Sequence, residues 1–402
     1  MRRFTADNDP LIEETVDSHM NRIVAEITSR MKPEAVILRG SFGRGEGTVY
    51  AEKGRLRFFS DYEIDVATYN PRYRSFFARL SKKLTGEFGV HTSVRWVRPD
   101  FLVKNRVGPF PTGPASLSIS LYETRYGSHI LYGEDIVGSG PAIDPAEIHP
   151  YSGYQLLLNR MAESLYYMPD SAAKNRDTLE IFYWITKMML ASAESLLLLW
   201  KRYHFSYRER GRRFASMAKE RLDFMGDKGS ALSDHVARAT EFKLRPRRGL
   251  YVDSVEDSWM QVLSICDSVF RHLTEQILGF PLQKYVEFPE RFLQYATHTA
   301  DAYPRHQFLA LKLLDVYKYL RKHLRPRGLF SRYQTSRAVY AVVPLMFVSW
   351  ATEETDLPIL LEEVRNRMEK IGPLDPPKND LLRERDLLRQ RLLWAWKNFC
   401  YF

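Results

Sequence analysis

A glycine-rich turn followed by alternating carboxylates limits the possible folds of this chain more than any other feature. The apolar run 35–38 predicts a buried strand, and glycine recurs at every second or third position of the segment 40–47 that follows it. Segment 60–66 then alternates acidic and apolar residues, which is typical of a strand with one polar face. The turn can offer backbone N–H groups to phosphate oxygens, and the carboxylates can hold a metal ion.

The turn itself predicts contacts to a nucleotide. Gly40 and Gly43 permit positive φ and a close approach of phosphate to the backbone, Ser41 can donate its hydroxyl, and Arg44 can form paired hydrogen bonds with phosphate. The spacing is not that of a P-loop, because no Lys-Ser/Thr pair closes it, and no opening helix follows as in a Rossmann fingerprint. The alternative is a glycine-rich hairpin without a ligand.

The carboxylates predict a metal site. On a strand, Asp61, Glu63 and Asp65 share one face. Asp61 and Glu63 are then roughly 6–7 Å apart at about 3.3 Å per residue, close enough to converge on metal ions. Asp65 lies roughly 13 Å from Asp61 by the same rise, so we interpret it as a strand-end residue paired with an arginine. Acids on one face repel each other unless cations neutralise them, which favours a metal site over a solvated face.

Gly40-Ser41 followed by Asp61-x-Glu63 resembles the signature of the polymerase-β-type nucleotidyltransferase superfamily. The resemblance implies a mixed sheet with flanking helices, an NTP substrate and transfer of a nucleoside monophosphate with pyrophosphate release. It implies that Gly40 and Ser41 bind the triphosphate, and that Asp61 and Glu63 bind Mg²⁺ (or Mn²⁺). The acceptor would be a hydroxyl or amine of an RNA end, a protein or a small molecule.

The chain departs from the family pattern in two ways. The gap between Ser41 and Asp61 is long, and its residues 49–58 predict a small hairpin turning at Lys53-Gly54. The family also places a third acid on a neighbouring strand, whereas the predicted strand 90–97 contains none. We expect Glu123, at the end of a predicted strand 117–123, to supply this carboxylate, with His91 as the substitute. Without either residue, the domain would be an inactive nucleotide- or RNA-binding module.

We predict an α+β protein of two domains: a nucleotidyltransferase-like mixed sheet with flanking helices over residues 1–140, and an all-α domain over 141–402. The second part contains several helical patterns, including 178–203 and 380–399. The apolar run 339–350 is too short to span a membrane, and no apolar core follows Arg2 and Arg3 as in a signal peptide. The aromatic C-terminal helix is expected to dock into the protein's own core or into a second subunit of an oligomer.

Charge and cysteine content bear on partners and compartment. The net charge of +10 favours an anionic partner, and the two cysteines form no disulfide framework or zinc pattern, which indicates the cytoplasm. Three basic clusters contain aromatic residues or Arg-Pro-Arg loops that suit RNA, although solvated loops and helix ends have the same composition. The predicted nucleic-acid-binding residues are Arg245, Arg247, Arg248, Arg325 and Arg327.

Overall fold

The computed structural model describes residues 3–103, 118–168, 177–251, 254–301, 335–353, 355–372, 374–378 and 380–400. The chain divides into two compact units. We call them the sheet unit, formed by Met1–Ser152 with Leu197–Val252, and the helical unit, formed by Gly153–Leu196 with Asp253–Phe402. The class is α+β, as predicted, with a small mixed sheet in the N-terminal half and many helices after it.

The strands are β1 Ala35–Arg39, β2 Val49–Glu52, β3 Arg55–Phe58, β4 Tyr62–Ala67, β5 Thr92–Val97 and β6 His129–Gly133. Before residue 250, the described residues form the helices α1 Pro10–Thr28, α2 Gly40–Gly43, α3 Arg74–Phe88, α4 Pro99–Val103, α5 Ile119–Gly127, α6 Tyr151–Ser164, α7 Thr178–Leu199, α8 Tyr207–Arg221 and α9 Lys228–Leu244. The described remainder contains α10 Val255–Leu273, α11 Phe288–Asp301, α12 Thr335–Val348, α13 Leu357–Glu369 and α14 Leu381–Phe399.

A four-stranded sheet with the order β5-β4-β1-β6 forms the centre of the sheet unit. β1 pairs antiparallel with β4 and β6, whereas β4 and β5 are parallel. The inserted segment forms the separate β2–β3 hairpin, and Lys53 and Gly54 at its turn both have positive φ, as the sequence predicts. The sheet is therefore mixed, and the hairpin leaves the pairing of β1 with β4 intact.

One face of the sheet is apolar and packs against α1 and α3. Leu38, Ile64 and Val94 on this face form one buried core with residues of both helices, such as Ile23 on α1 and Leu80 on α3. Apolar residues recur every three or four positions along α1, so they form the stripe that a helix needs to cover a sheet. Because side chains alternate along a strand, Asp61, Glu63 and Asp65 lie on the opposite face.

The predicted strand 117–123 is wrong, because residues Ile119–Gly127 form helix α5. Ser118 caps this helix by accepting a hydrogen bond from the Leu121 backbone N–H. Leu121, Tyr122 and Thr124 are buried, so the apolar residues that suggested a strand form the inner face of a helix. Glu123 is therefore a helix residue, and β6, the strand next along the chain, occupies the edge beside β1.

The compact units differ from the expected division at residue 140, because residues 197–252 belong to the sheet unit. Hydrogen bonds far apart in sequence connect this segment to the N-terminal part. Glu46 accepts from the Ser206 hydroxyl at 2.7 Å, and Thr48 donates to the Lys243 carbonyl at 2.7 Å. Helices α8 and α9 therefore complete the unit that contains the sheet.

In the helical unit, α14 packs against α12 and α13. Leu388, Leu392, Trp396 and Phe399 are buried on this helix, so its aromatic end docks into the unit's own core, one of the two expected arrangements. Among the described residues, α7 alone is long and apolar enough to cross a membrane, and 89% of its most apolar window is buried inside the protein. Such burial is typical of a core helix.

Candidate active site: a carboxylate pair beside a glycine turn

The pairing of β1 with β4 brings the glycine turn to the carboxylates. Arg39, the last residue of β1, pairs with Glu63, so Gly40 lies next to the Glu63 side chain. Gly40 has a φ of +66°, and a Cβ atom at this position would lie 2.5 Å from Glu63 Oε1. Gly40 is thus required for its backbone conformation and for the space that the carboxylate occupies. Two motifs that are more than twenty residues apart in sequence meet here.

Ser41 and Gly43 occupy different surroundings within α2. Ser41 is partly exposed, and its hydroxyl makes no hydrogen bond to any other described residue, so it can bind a ligand. Gly43 is buried, and a Cβ atom there would lie 2.5 Å from the Leu38 carbonyl oxygen and 3.0 Å from that of Gly127. Glycine at position 43 therefore allows α2 to pack closely against β1 and the end of α5.

Asp61 and His91 are neighbours at the start of two parallel strands. The parallel register from Tyr62↔Thr92 onward puts them side by side, and the Tyr62 N–H donates to the His91 carbonyl. Asp61 Oδ2 lies 3.6 Å from His91 Nδ1, and the side chains are 49% and 65% exposed. The hydrogen bond and the negative charge of Asp61 raise the pKa of His91. His91 thus immediately precedes β5, the strand on which the sequence analysis looked for a third acid.

Glu63 is more enclosed than Asp61, with 34% of its side chain exposed. Burial raises the pKa of Glu63, and the charge of Asp61 raises it further, whereas Arg39 acts in the opposite direction. Arg39 Nη2 lies 3.8 Å from Glu63 Oε2 and 2.8 Å from the Ser120 hydroxyl, to which it donates. Arg39 thus connects β1, β4 and α5 at one end of the acidic face.

Asp65 is bound by two arginines, which confirms the predicted pairing with an arginine, but it lies inside β4 rather than at the end of the strand. It accepts hydrogen bonds from Arg39 Nη1 at 2.7 Å and from Arg95 Nη2 at 2.9 Å. Burial would raise the pKa of Asp65, but the two guanidinium groups outweigh this and lower it. Asp65 therefore holds the middle of the sheet together and fixes Arg39 beside Glu63.

Arg44 and Glu123 bind each other in a second, buried cluster. The Glu123 carboxylate accepts hydrogen bonds from Arg44 Nη1 at 3.0 Å and from the Tyr203 hydroxyl at 2.7 Å. Arg210 forms a further ion pair with Glu123. The arginine side chains are each 3% exposed. Burial alone would raise the pKa of Glu123, but both arginines and Tyr203 lower it to about 2. Arg44, which was expected to contact the nucleotide, and Glu123, which was expected to supply the third carboxylate, thus bind each other in the interior.

A lysine from α9 is placed beside the acidic strand. The Lys243 side chain is buried, and Nζ donates to the Ser60 hydroxyl at 3.2 Å. The Ser60 hydroxyl oxygen also accepts from the Thr48 N–H at 2.9 Å. These bonds fix the residue immediately before Asp61 to α9 and to the start of β2. Lys243 lies 183 residues after Ser60, and no local sequence signal connects the two.

The basic residues expected to bind nucleic acid are paired with carboxylates where the structure describes them. Arg325 and Arg327 lie outside the described residues. The other three follow or end α9 and are partly exposed. Their ion pairs are Arg245 with Asp7, Arg247 with Glu241 at 2.5 Å, and Arg248 with Glu52 at 3.4 Å.

Sequence reasoning missed Arg39, Arg210 and Tyr203. Arg39 had a usable signal, because it directly precedes Gly40 and directly follows the apolar run that predicts β1. In the structure it pairs with Glu63 across β1 and β4. Arg210 and Tyr203 had none, since they meet Glu123 across about eighty residues of sequence. Local periodicity assigns a residue to a face, and it does not identify the distant partner.

Among the described residues, no group of three or more His, Cys, Asp or Glu side chains is arranged to hold a metal ion. The acidic face therefore offers a carboxylate pair, Asp61 and Glu63, with His91 beside the first. Comparison with protein families, with curated proteins and with solved structures found no significant match.

Proposed function

We propose that this protein is a metal-dependent nucleotidyltransferase of the polymerase-β type. One observation carries the proposal: Gly40-Ser41 and Asp61-x-Glu63 meet at one end of β1 and β4, with Gly40 against the Glu63 carboxylate. The mixed sheet with helices on its apolar face supports the same assignment. A turn that binds phosphate and a pair of acids that binds metal are the two parts that such a transfer requires.

The residues present fit a magnesium ion. Mg²⁺ is usually bound through one or two carboxylates, with substrate phosphates and water completing an octahedron. Asp61 is exposed, Glu63 is accessible, and both are on one face of β4. Burial and the negative charge of Asp61 both raise the pKa of Glu63. A bound cation would favour the charged form of the carboxylate and so offset both effects. Asp61 and Glu63 would hold Mg²⁺ or Mn²⁺, which supplies charge neutralisation for the triphosphate when bound.

The residues of the chain would position the reactants. The Ser41 hydroxyl and the backbone at Gly40 would bind phosphate oxygens, and Arg39 would hold Glu63 in place through its contacts with Asp65 and Ser120. The acceptor oxygen or nitrogen forms a bond to the α-phosphorus. At the same time, the bond between the α-phosphorus and the oxygen that bridges to the β-phosphate breaks. Pyrophosphate leaves with the bridging oxygen, and the proton of the acceptor passes to solvent water.

Glu123 is better suited to a structural role than to the role of third carboxylate. Both of its oxygens accept hydrogen bonds, one from Arg44 and the other from Tyr203 and Arg210. A carboxylate bound in this way has its lone pairs directed at protein donors rather than at a metal ion. We therefore assign Glu123 and Arg44 to the cluster that fixes α5, α8 and the glycine turn relative to one another.

The proposal is tested by incubating the purified chain with each α-³²P-labelled NTP, Mg²⁺ and separate acceptor pools of RNA, protein and small molecules. Pyrophosphate release and a labelled product are expected with at least one combination. Asp61→Asn should abolish both, because it removes a metal-binding charge from an exposed side chain while keeping its size. Glu14→Gln is the matched control, since Glu14 is exposed on α1, which covers the other face of the sheet. Equal turnover by the Asp61→Asn variant would refute the assignment.

A second candidate is an inactive nucleotide-binding module, and the composition of β5 favours it. Residues Thr92–Val97 contain no acid, so the strand beside Asp61 and Glu63 offers no third carboxylate. In this case, an NTP would bind in a Mg²⁺-dependent manner without any release of pyrophosphate. The same experiment with a parallel binding measurement separates the two functions.

A further inference from the structure

The glycine turn also borders a cleft on the other side of β1. This cleft has a volume of about 700 Å³ and is lined by residues that include Arg3, Gly45, Glu46, Phe205 and Arg208. A second cleft of about 380 Å³ shares Arg3 and Arg208 with the first. All of these residues belong to the sheet unit. The larger volume is within the range of about 300–1,000 Å³ that small-molecule sites occupy.

The register of the sheet separates this cleft from the carboxylate pair. His129 lines the cleft and pairs with Leu38, which pairs on its other side with Ile64. Residues directly opposite each other in antiparallel strands share a face, so His129 is on the face of Ile64. Asp61 and Glu63 are on the other face. The cleft is therefore a separate site that borders the same turn.

Arg208 differs from the three arginines that follow it in the first two turns of α8. Arg210 binds Glu123, whereas Arg212 and Arg213 both bind Glu209. The Arg208 side chain is exposed and forms no ion pair with any described residue. Its guanidinium group is thus available to a ligand in the cleft.

Arg3 donates hydrogen bonds to two backbone carbonyls and keeps further N–H donors. Its Nη2 donates to the Ala6 carbonyl at 2.7 Å and its Nε to the Thr5 carbonyl at 3.3 Å. Neither bond neutralises its charge, and no described carboxylate pairs with it. A guanidinium group has five N–H donors, so Arg3 keeps donors for a ligand after making these bonds.

The acid that lines the cleft is already bound. The Glu46 carboxylate accepts from the Ser206 hydroxyl at 2.7 Å and from the Tyr207 backbone N–H at 2.8 Å, and it lies 3.7 Å from Arg44 Nε. Its negative charge is therefore offset by the start of α8 and by Arg44. Among the described residues that line the cleft, the arginines whose charges have no carboxylate partner are therefore Arg3 and Arg208.

We propose that this cleft is a second ligand site, which binds a phosphate group of a small molecule between Arg3 and Arg208. Guanidinium groups match phosphate oxygens with paired hydrogen bonds, and two of them suit one diphosphate or two adjacent phosphates. The partly exposed Phe205 ring gives the cleft an apolar wall that a nucleoside could contact.

The test uses the full chain carrying Asp61→Asn and Glu63→Gln, in EDTA, with ³²P-pyrophosphate in equilibrium dialysis. Removing the metal and its ligands makes the result independent of the proposed transferase activity. Saturable binding of about one equivalent is expected. Arg208→Gln and Arg3→Gln should each weaken it about tenfold, the effect of losing a charge-assisted hydrogen bond. Arg79→Gln is the matched control, because Arg79 is exposed on α3, which contributes no residue to the cleft.

The source of the phosphate is resolved by comparing orthophosphate, pyrophosphate and AMP. If AMP binds most tightly of the three, the cleft is a nucleotide site; if pyrophosphate binds most tightly, the cleft is a diphosphate site. No saturable binding, or equal affinity in the Arg208→Gln and Arg79→Gln variants, would overturn the proposal. Binding of a single-stranded RNA oligomer without binding of any of the three small probes would also overturn it.

Discussion

Replacing Glu123 by glutamine removes one negative charge from a buried cluster while keeping the size of the side chain. Arg44 and Arg210 would then be left in the interior without their shared counter-ion. Breaking a buried ion pair in this way costs about 3–5 kcal/mol. The pKa gives a second value: a shift from the ordinary 4.5 to about 2 corresponds to about 3 kcal/mol. We expect Glu123→Gln to lower the free energy of unfolding by about 3 kcal/mol at pH 7.

The pH dependence of this loss follows from the direction of the shift. The pKa of Glu123 is lower in the folded chain than in the unfolded chain, so its stabilisation is complete above about pH 4.5 and is lost as the pH falls toward 2. The difference in unfolding free energy between the wild-type and Glu123→Gln chains should therefore shrink between pH 5 and pH 3. Urea denaturation followed by far-UV circular dichroism at several pH values measures it.

Glu209→Gln is a matched control for this experiment. Glu209 also pairs with two arginines, and its pKa is also lowered to about 2, but the Arg212 side chain is 75% exposed. Solvent screens such a pair, so the loss of stability should be small. Equal stability losses in the two variants would refute the buried-cluster argument. Unchanged stability with complete loss of nucleotide turnover in Glu123→Gln would instead support Glu123 as the third carboxylate of the site.

Two further predictions concern the turn and the basic loop. Gly40→Ala should weaken Mg²⁺-dependent nucleotide binding by about tenfold, because strain at positive φ of about 1–2 kcal/mol adds to a Cβ atom that displaces the Glu63 carboxylate. Calorimetric titration checks this against Gly54→Ala, which has a φ of +74° and no neighbour within 4 Å, and equal binding by the two would contradict it. Joint replacement of Arg247 and Arg248 by glutamine should leave the salt dependence of RNA binding unchanged, since both charges are already paired. Filter binding measures the slope of the logarithm of the binding constant against the logarithm of the salt concentration. A slope smaller in magnitude by about two in the double variant would assign those arginines to phosphate contacts.

The acidic strand could be predicted from sequence because its chemistry is local. Alternation along 60–66 places the acids on one face, and the rise per residue separates Asp65 from Asp61. The pairing of Asp65 with arginines follows, since a buried carboxylate needs such partners. The hairpin at Lys53-Gly54 could also be predicted, because its two strands are adjacent in sequence.

Segment 118–127 shows where local patterns fail. Ile119 and Leu121 alternate with polar residues as in a strand, but the Ser118 cap and the buried pair Leu121 and Tyr122 make a helix the more stable outcome. The partners of Glu123 come from distant helices, so only the assembled unit reveals them. The return of residues 197–252 to the sheet unit was hidden for the same reason, because its partners in the N-terminal part lie far away in sequence.

Metal-dependent nucleotide binding tests the proposed site most directly, because it needs no acceptor. Each NTP is titrated into the wild-type chain in Mg²⁺ and in EDTA, and the Mg²⁺-dependent part of the affinity is compared with that of the Asp61→Asn and Glu14→Gln variants. We predict that at least one NTP binds more tightly with Mg²⁺, that Asp61→Asn removes this increment, and that Glu14→Gln keeps it. An affinity that is the same with and without Mg²⁺ for every NTP, or an increment that survives in Asp61→Asn, would contradict the proposed site.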